Sequence, residues 1–578
     1  MKRGLLVVFW SLFCLCVANT ATGNKPKHPI EFDQLEISRK YVPAKQHASA
    51  SKSPSSSSVH GGSQDYQRKR DKIIAMPGQM EEAEFTQYAG YVTVDANAGR
   101  ALFYYFAEAP QDPSNKPLVL WMNGGPGCSS FGAGAMLELG PFSVHSDNKT
   151  LYKKKHAWNT VANMLFVEIP AGVGYSYSNT TSDYHNTGDK RSTDDAYTFL
   201  VNWLERFPMY RDRDFFITGE SYAGHYVPEL ANLIISNNRA RGATNVKLKG
   251  VAIGNADLQY NLTLRATFDY FWMHAMISGK TYRTVQANCG FNGTYTKDCD
   301  NAMNLAIKEK GNVDDYNIYA PICRDASSPL RSSDPVVFGD PCTNHYVSSY
   351  LNRPEVQRAL HANTTGLNYP WTDCSSQLVF DNWKDSPETV LPSIRKLISS
   401  GTRVWLYSGD MDAVCSVTST QYALDILDLP TETSWRPWRV NNEVAGYVVG
   451  YKGLVYATVK GAGHMIIRKA QKAIPVYVKP QIPNKGLRIR KLQQERLERL
   501  NGTTNVEEVL VFFIGEWVGE PASSRGEAGL SGEVFGTLVS TVGENGGEGA
   551  LPQEYLDRAP VMEMFLIGDK HSTFSAIA

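Results

Sequence analysis

The sequence predicts an α/β protein: a doubly wound, mostly parallel central sheet with an inserted, disulfide-stapled subdomain. Three features predict it. Short, continuous apolar runs recur along the chain and end in Gly- or Pro-rich turns, as strands buried on both faces do. Amphipathic helical patterns separate these runs, the signature of strand–helix–strand winding. Between residues 260 and 345 the alternation stops and Cys289, Cys299, Cys323 and Cys342 gather.

Lys2 and Arg3 precede an apolar stretch, Leu5 to Val17, and small residues at Ala18 to Ala21, the layout of a secretory signal over residues 1–21. Residues 22–71 are polar and low in complexity, with a Ser-Pro-Ser-Ser-Ser-Ser run at 53–58. Such a composition cannot bury a core, so a disordered pro-segment is predicted, with Arg68-Lys69-Arg70 suited to trimming. The globular pattern starts near Lys72. Strands are predicted at 118–122, 163–168, 214–218, 248–253, 403–407 and 454–459. A helix is predicted over 193–206, apolar at Ala196, Phe199, Leu200 and Trp203, with Ser192 as its cap. The domain so defined spans 72–465, with the insertion at about 260–345. In 466–578 the texture changes to a basic stretch at 485–499 and a Gly- and Glu-rich stretch at 515–549, a C-terminal extension without clear periodicity.

Composition narrows the function classes. The chain has 578 residues, with Lys+Arg 58 and Asp+Glu 58, so charge gives no support for nucleic-acid binding. After the leader there is no run of about 20 apolar residues, so no membrane span is expected. Of the nine cysteines, Cys14 and Cys16 leave with the leader. The remaining seven suit three bridges and one free thiol in an oxidising compartment. No Cys-x-x-Cys spacing occurs, and neither a metal nor a cofactor is expected. Six Asn-x-Ser/Thr sequons, at Asn148, Asn179, Asn261, Asn292, Asn363 and Asn501, suit a glycoprotein of the secretory pathway, extracellular or vacuolar.

Three features carry chemistry: an elbow, a pair of downstream loops and a Gly-rich strand exit. At Phe215-Phe216-Ile217-Thr218-Gly219-Glu220-Ser221-Tyr222-Ala223-Gly224 an apolar strand runs into Gly-x-Ser-x-small and then an apolar helix. That pattern is a nucleophile elbow, which pushes Ser221 into a cleft beside helix-terminal amides. A serine hydroxyl needs a base and an acid to orient that base, in the chain order Ser, Asp or Glu, His. Downstream, one strand ends in Gly409-Asp410-Met411-Asp412 and another in Gly461-Ala462-Gly463-His464. These residues leave Asp410 and Asp412 as alternatives. The third feature, Trp121-Met122-Asn123-Gly124-Gly125-Pro126-Gly127-Cys128, is a Gly-rich strand exit able to offer backbone amides to an oxyanion, alongside the amide of Tyr222.

In order, Trp-Met-Asn-Gly-Gly-Pro-Gly-Cys-Ser-Ser, Gly-Glu-Ser-Tyr-Ala-Gly-His-Tyr-Val-Pro, Gly-Asp-x-Asp and Gly-Ala-Gly-His-Met resemble the serine carboxypeptidase family of α/β-hydrolases, particularly its plant members. The resemblance spans about 72–465. It implies Ser221 as nucleophile, His464 as general base and acid, and Asp412 as the orienting acid. It implies an oxyanion hole from the amides of Gly125 and Tyr222. Asn123, Gly124, Glu138 and Glu220, supported by Trp121, would bind the terminal carboxylate of a peptide or protein substrate. It further implies disulfides Cys128–Cys374, Cys289–Cys299 and Cys323–Cys342, with Cys415 left free beside the substrate pocket and Met465 lining it. The implied activity is release of C-terminal residues in acid. Relatives also include acyltransferases, which tend to replace the residues matching Asn123 and Glu220, and a non-catalytic binding homologue is a third alternative. A homodimer comes with the resemblance alone. The chain departs from the family after Met465, where Ile466-Ile467-Arg468-Lys469 stands in place of a Val-Pro pair and a final amphipathic helix.

Overall fold

Six parallel strands form the middle of a twelve-stranded sheet in the computed structural model. The structure describes residues 61–466 except 81, 241–244, 294, 325–339, 365, 368, 376–381 and 441. The leader, most of the pro-segment, the C-terminal extension and the sequon at Asn501 lie outside the described residues. In spatial order the parallel strands are Asn163–Val167, Leu118–Met122, Phe215–Glu220, Leu248–Gly254, Arg403–Gly409 and Leu454–Val459. All six coincide with the predicted apolar runs. Two antiparallel wings extend the sheet: Arg100–Ala107, Gln87–Asp95 and Lys72–Ile73 on one side, Glu443–Tyr451 and Thr431–Val440 on the other.

Because successive side chains of a strand point to opposite faces, the buried runs feed two cores at once. Val119, Trp121, Phe166, Phe216 and Trp405 enter one. Leu118, Leu120, Leu165, Ile217 and Leu406 enter the other, covered by helices Asp189–Arg206, Ala223–Asn238 and Leu391–Ser399. The first of these helices buries Ala196, Phe199, Leu200 and Trp203 as predicted. It begins earlier, however: Asp189 occupies the first turn, where its charge suits the helix dipole, and Ser192 lies buried inside the helix rather than capping it.

The folded part also starts before Lys72. Gly61–Asp71 is a helix, so the basic triplet Arg68-Lys69-Arg70 is helical. Asp71 is buried and accepts hydrogen bonds from the Tyr104 hydroxyl and Arg206 Nη1, each at 2.7 Å. Between Leu248–Gly254 and Arg403–Gly409 the chain leaves the sheet. Helices Tyr260–Met273, Gly279–Asn288 and Lys297–Lys310 build a separate core around Leu264, Phe268, Val285 and Met303. Disulfides join Cys289–Cys299 and Cys323–Cys342 in this region, and Cys128–Cys374 ties the first Gly-rich turn to the segment beyond it.

Arg100 fastens the first wing to the helical layer. It donates through Nε to Asp195 at 2.8 Å and through Nη1 to Asp183 at 2.6 Å, both carboxylates nearly buried. Replacing Arg100 with Met leaves these charges without their partner, so Arg100→Met is expected to cost about 3–5 kcal/mol of stability. Urea denaturation checks this; an unchanged midpoint contradicts it.

Candidate active site

The strand Phe215–Glu220 stops at Ser221, whose φ of 62° lies in the left-handed region that residues with a Cβ avoid. Its amide donates to Gly254 O at 3.0 Å and its carbonyl accepts from Asp257 N at 3.0 Å, which holds the turn. Gly219 makes the turn sterically feasible: a Cβ there would sit 2.4 Å from Met122 O and 2.7 Å from the Ala223 Cβ. Helix Ala223–Asn238 starts immediately, so Ser221 stands at its N-terminal end.

The two aspartates left open by the sequence separate clearly. Asp412 is fully buried, and its Oδ2 faces His464 Nδ1 at 2.6 Å. It also accepts from Val414 N at 2.8 Å, Cys415 N at 3.2 Å and Asn255 Nδ2 at 2.6 Å. Asp410 instead accepts from Gly461 N at 2.7 Å, tying the two loops together. Asn255 is a residue that sequence reasoning missed. Its side chain bridges Asp412 and Gly409 N, the latter at 2.9 Å, from a backbone φ of 40°. A polar residue at a left-handed position just past a strand was the available signal.

Beside Ser221 lies a buried carboxyl pair. Glu138 sits on Ser130–Leu139, a π-helix, a type often found at functional sites. Trp121 Nε1 donates to Asn123 Oδ1 at 2.7 Å, which fixes the amide's orientation. Asn123 Nδ2 then donates to Glu220 Oε1 at 2.9 Å and Glu138 Oε1 at 3.2 Å. Burial pushes Glu138 up to about 7, and burial together with the adjacent Glu138 charge holds Glu220 well above the usual carboxylate range. Two buried carboxyls bonded to one amide cannot both ionise cheaply, which favours a protonated form of the pair. Small residues let the π-helix approach: a Cβ on Gly134 would meet Trp121 Nε1 at 2.4 Å. Two further groups missed from sequence hold its ends. Ser129 caps Gly132 N at 2.8 Å and donates to buried Glu168, while Lys154 Nζ donates to Glu138 O at 2.8 Å.

The Gly-rich strand exit meets the elbow directly. A Cβ on Gly124 would lie 2.3 Å from Tyr222 N, and Gly125 has a φ of 113°. The Tyr222 side chain is held from several sides. Its hydroxyl contacts Asp189 Oδ1 at 2.9 Å and Ser386 Oγ at 2.5 Å, Trp383 Nε1 donates to it at 3.1 Å, and its ring stacks on His225 at 4.4 Å. Among the described residues Asp189, His225 and Glu229 form a group with metal-ligating atoms, but Asp189 already accepts from Tyr222. Cys415 is free and buried, and burial pushes its thiol well up, which disfavours a thiolate nucleophile there. Met465 follows His464 half-buried.

The predicted sequons differ in exposure. Asn261 is buried, its Nδ2 donates to Glu388, and its Oδ1 accepts from the Tyr295 hydroxyl at 2.8 Å. The sequon is real, but helix Tyr260–Met273 turns it inward. Asn179 and Asn292 are exposed, and Asn148 and Asn363 are half-buried.

A nucleophile elbow, a carboxylate-bound imidazole and two buried carboxyls held above the usual carboxylate range together suit acyl transfer from a substrate with a free acidic end. A sequence model of the family described as serine carboxypeptidase matches residues 77–477. Serine carboxypeptidase-like 40 of Arabidopsis thaliana is 50% identical over 407 residues, covering 69% of this chain and 80% of the relative. Serine carboxypeptidase 24 of Arabidopsis thaliana is 47% identical over 431 residues, covering 72% and 90%. The crystal structure of Kex1(Δ)p, a prohormone-processing carboxypeptidase from Saccharomyces cerevisiae, superposes with a TM-score of 0.58 at 22% identity, covering 69% of this chain and 93% of that chain.

The buried acids make stability pH-dependent. Burial raises Glu138, Glu168 and Glu229 from 4.5 to about 7 each, so the folded chain holds protons that the unfolded chain has released. Stability is then fully present below about pH 4.5 and falls as pH rises through 7. His156, lowered by burial to about 4, opposes this below 6.5 but is one group against three. Each acid is expected to give up about 2 kcal/mol of stability between pH 5 and 7.5, so the melting temperature drops over that interval. Calorimetry at the two pH values tests the sign, and a higher melting temperature at pH 7.5 contradicts it.

Proposed function

The chain belongs to the serine carboxypeptidase family, and we propose that it releases C-terminal residues from peptides and proteins in acid through a Ser-His-Asp acyl-enzyme mechanism. The observation that carries this reading is the buried Glu138–Glu220 pair, both members bonded to Asn123 beside Ser221. An endopeptidase has no use for neutral acids at that place. An exopeptidase does, because a protonated carboxyl donates to the free carboxylate of the substrate, and Asn123 and Gly124 complete the pocket with Trp121 behind them.

In this mechanism Ser221 Oγ attacks the scissile carbonyl carbon while its proton passes to His464 Nε2. Asp412, bonded to Nδ1, keeps the imidazole in the required tautomer and stabilises the imidazolium. The amides of Gly125 and Tyr222 receive the oxyanion. His464 returns the proton to the leaving amine, the amino acid departs, and water attacks the acyl-enzyme with His464 again as base. Met465 and Cys415 line the pocket next to the reacting centre. The three disulfides suit an oxidising compartment, which supports the secretory pathway as its location, extracellular or vacuolar. Retention of Asn123 and Glu220 favours hydrolysis over acyl transfer to an alcohol on the same fold.

Incubation of the mature glycoprotein with a blocked dipeptide at about pH 5 is expected to release the C-terminal amino acid, with kcat falling at least about 10⁴-fold in Ser221→Ala. Transfer from a sugar ester without dipeptide hydrolysis identifies an acyltransferase instead, and absence of fluorophosphonate labelling at Ser221 on folded protein identifies a binding homologue.

Ionising the acid pair repels the substrate's end, so KM rises with pH while kcat is affected less. Glu220→Gln leaves no charge to develop at that position and is expected to flatten the rise in KM. A variant whose KM still climbs like the wild type's removes Glu220 from the carboxylate site.

A further inference from the structure

The loop that bears His464 is gripped by a part of the chain far from it in sequence. His464 N donates to Tyr316 O at 2.7 Å, and the Tyr316 ring meets the imidazole edge-on with centroids 4.6 Å apart. A Cβ on Gly463 would lie 2.4 Å from Tyr316 O and 2.7 Å from the Asn317 Cβ, so the contact is closer than any side chain at 463 allows. The same few residues also hold the Asp412 loop. Ala413 N donates to Asp315 O at 2.9 Å and Ile318 N donates to Met411 O at 3.1 Å.

The gripping segment is itself firmly shaped. Asn317 N donates to Asp314 O at 3.0 Å and Ala320 N to Asn317 O at 2.8 Å, Asn317 is fully buried, and Lys310 at the end of helix Lys297–Lys310 pins Asp315 at 2.6 Å. On its far side, Cys323 is bonded to Cys342.

We infer that residues 314–320 are a clamp belonging to the inserted subdomain that seats the Asp412 and His464 loops against each other, with Tyr316 as the positioning residue of the imidazole. The proposal rests on the catalytic reading of His464 given above. Backbone hydrogen bonds fix where the two loops lie, and the Tyr316 ring blocks one approach to an imidazole that is only 4% exposed. An imidazole tethered through Nδ1 alone can still swing about that bond. A ring packed against it removes that freedom and keeps Nε2 aimed into the cleft. The insertion is thereby a structural part of the reacting centre.

The experiment compares wild type with Tyr316→Leu and Tyr316→Phe, using dipeptide kinetics and diethyl pyrocarbonate labelling of His464 mapped by mass spectrometry, with exposed His145 as internal reference. Tyr316→Leu is expected to lower kcat about 10–100-fold with KM nearly unchanged, the scale of a misplacement near 1 Å. Its His464 should label faster relative to His145. Tyr316→Phe keeps both the ring and the carbonyl and should stay much closer to wild type than Tyr316→Leu in kcat and labelling. The clamp is overturned if Tyr316→Leu keeps wild-type kcat and labelling, or if Tyr316→Phe is as impaired as Tyr316→Leu through a raised KM, which makes the hydroxyl a substrate contact. Should the Leu variant fail to fold, wild-type protein still decides: His464 labelling as fast as His145 overturns the proposal. A wild type that hydrolyses no peptide sinks the catalytic reading, while the labelling comparison judges the clamp by itself.

Discussion

Two carboxyl groups taken out of water and set against each other cannot both carry charge, and much of the cleft is organised around that restriction. Glu138 and Glu220 come from a π-helix and a central strand, and Asn123 bonds both at once. The amide has no freedom to turn, because Trp121 occupies its oxygen. The helix can lie so near only because Gly132 and Gly134 leave room for Trp371 and Trp121. Lys154 at one end and Ser129 with Glu168 at the other keep it in place. Residues from six separate stretches of chain thus surround this one pair.

The neighbouring acid is surrounded differently. Asp412 is equally buried, yet it is ringed by two backbone amides, Asn255 and His464. The Glu138–Glu220 pair instead shares a single side-chain amide, that of Asn123. Under the proposed function, this contrast suits one end of the cleft to an anionic end group and the other to orienting an imidazole.

The parallel centre of the sheet was legible because strands buried on both faces must be apolar throughout, and 118–122 or 215–217 announce themselves. The elbow was legible because its Gly-x-Ser-x-small turn lies between a strand and a helix. The wings were not. Thr431–Val440 is exposed along most of its length and contains Pro437, tolerable because the outermost strand leaves some amides unpaired. Its composition looks like a loop. Arg100–Ala107 is wholly buried but so aromatic that no period stands out. In the site, residues with a local pattern were found and those defined by distant partners were not. Asn255 acquires meaning only from Asp412, and Glu168 only from Ser129, Tyr175 and Trp371. Asn261 shows the converse, a local motif whose helix turns it inward.

The long excursion between neighbouring strands has a consequence during synthesis. Gly254 pairs with Tyr407, and the proposed nucleophile emerges from the ribosome well before the imidazole it needs. At bacterial-to-eukaryotic elongation rates the gap between residues 221 and 464 lasts roughly ten to fifty seconds. Throughout that interval the nascent chain carries a serine without a base. Under the proposed function, competence arrives only when nearly the whole domain has been made, so the order of synthesis itself delays any action of the young polypeptide on its neighbours.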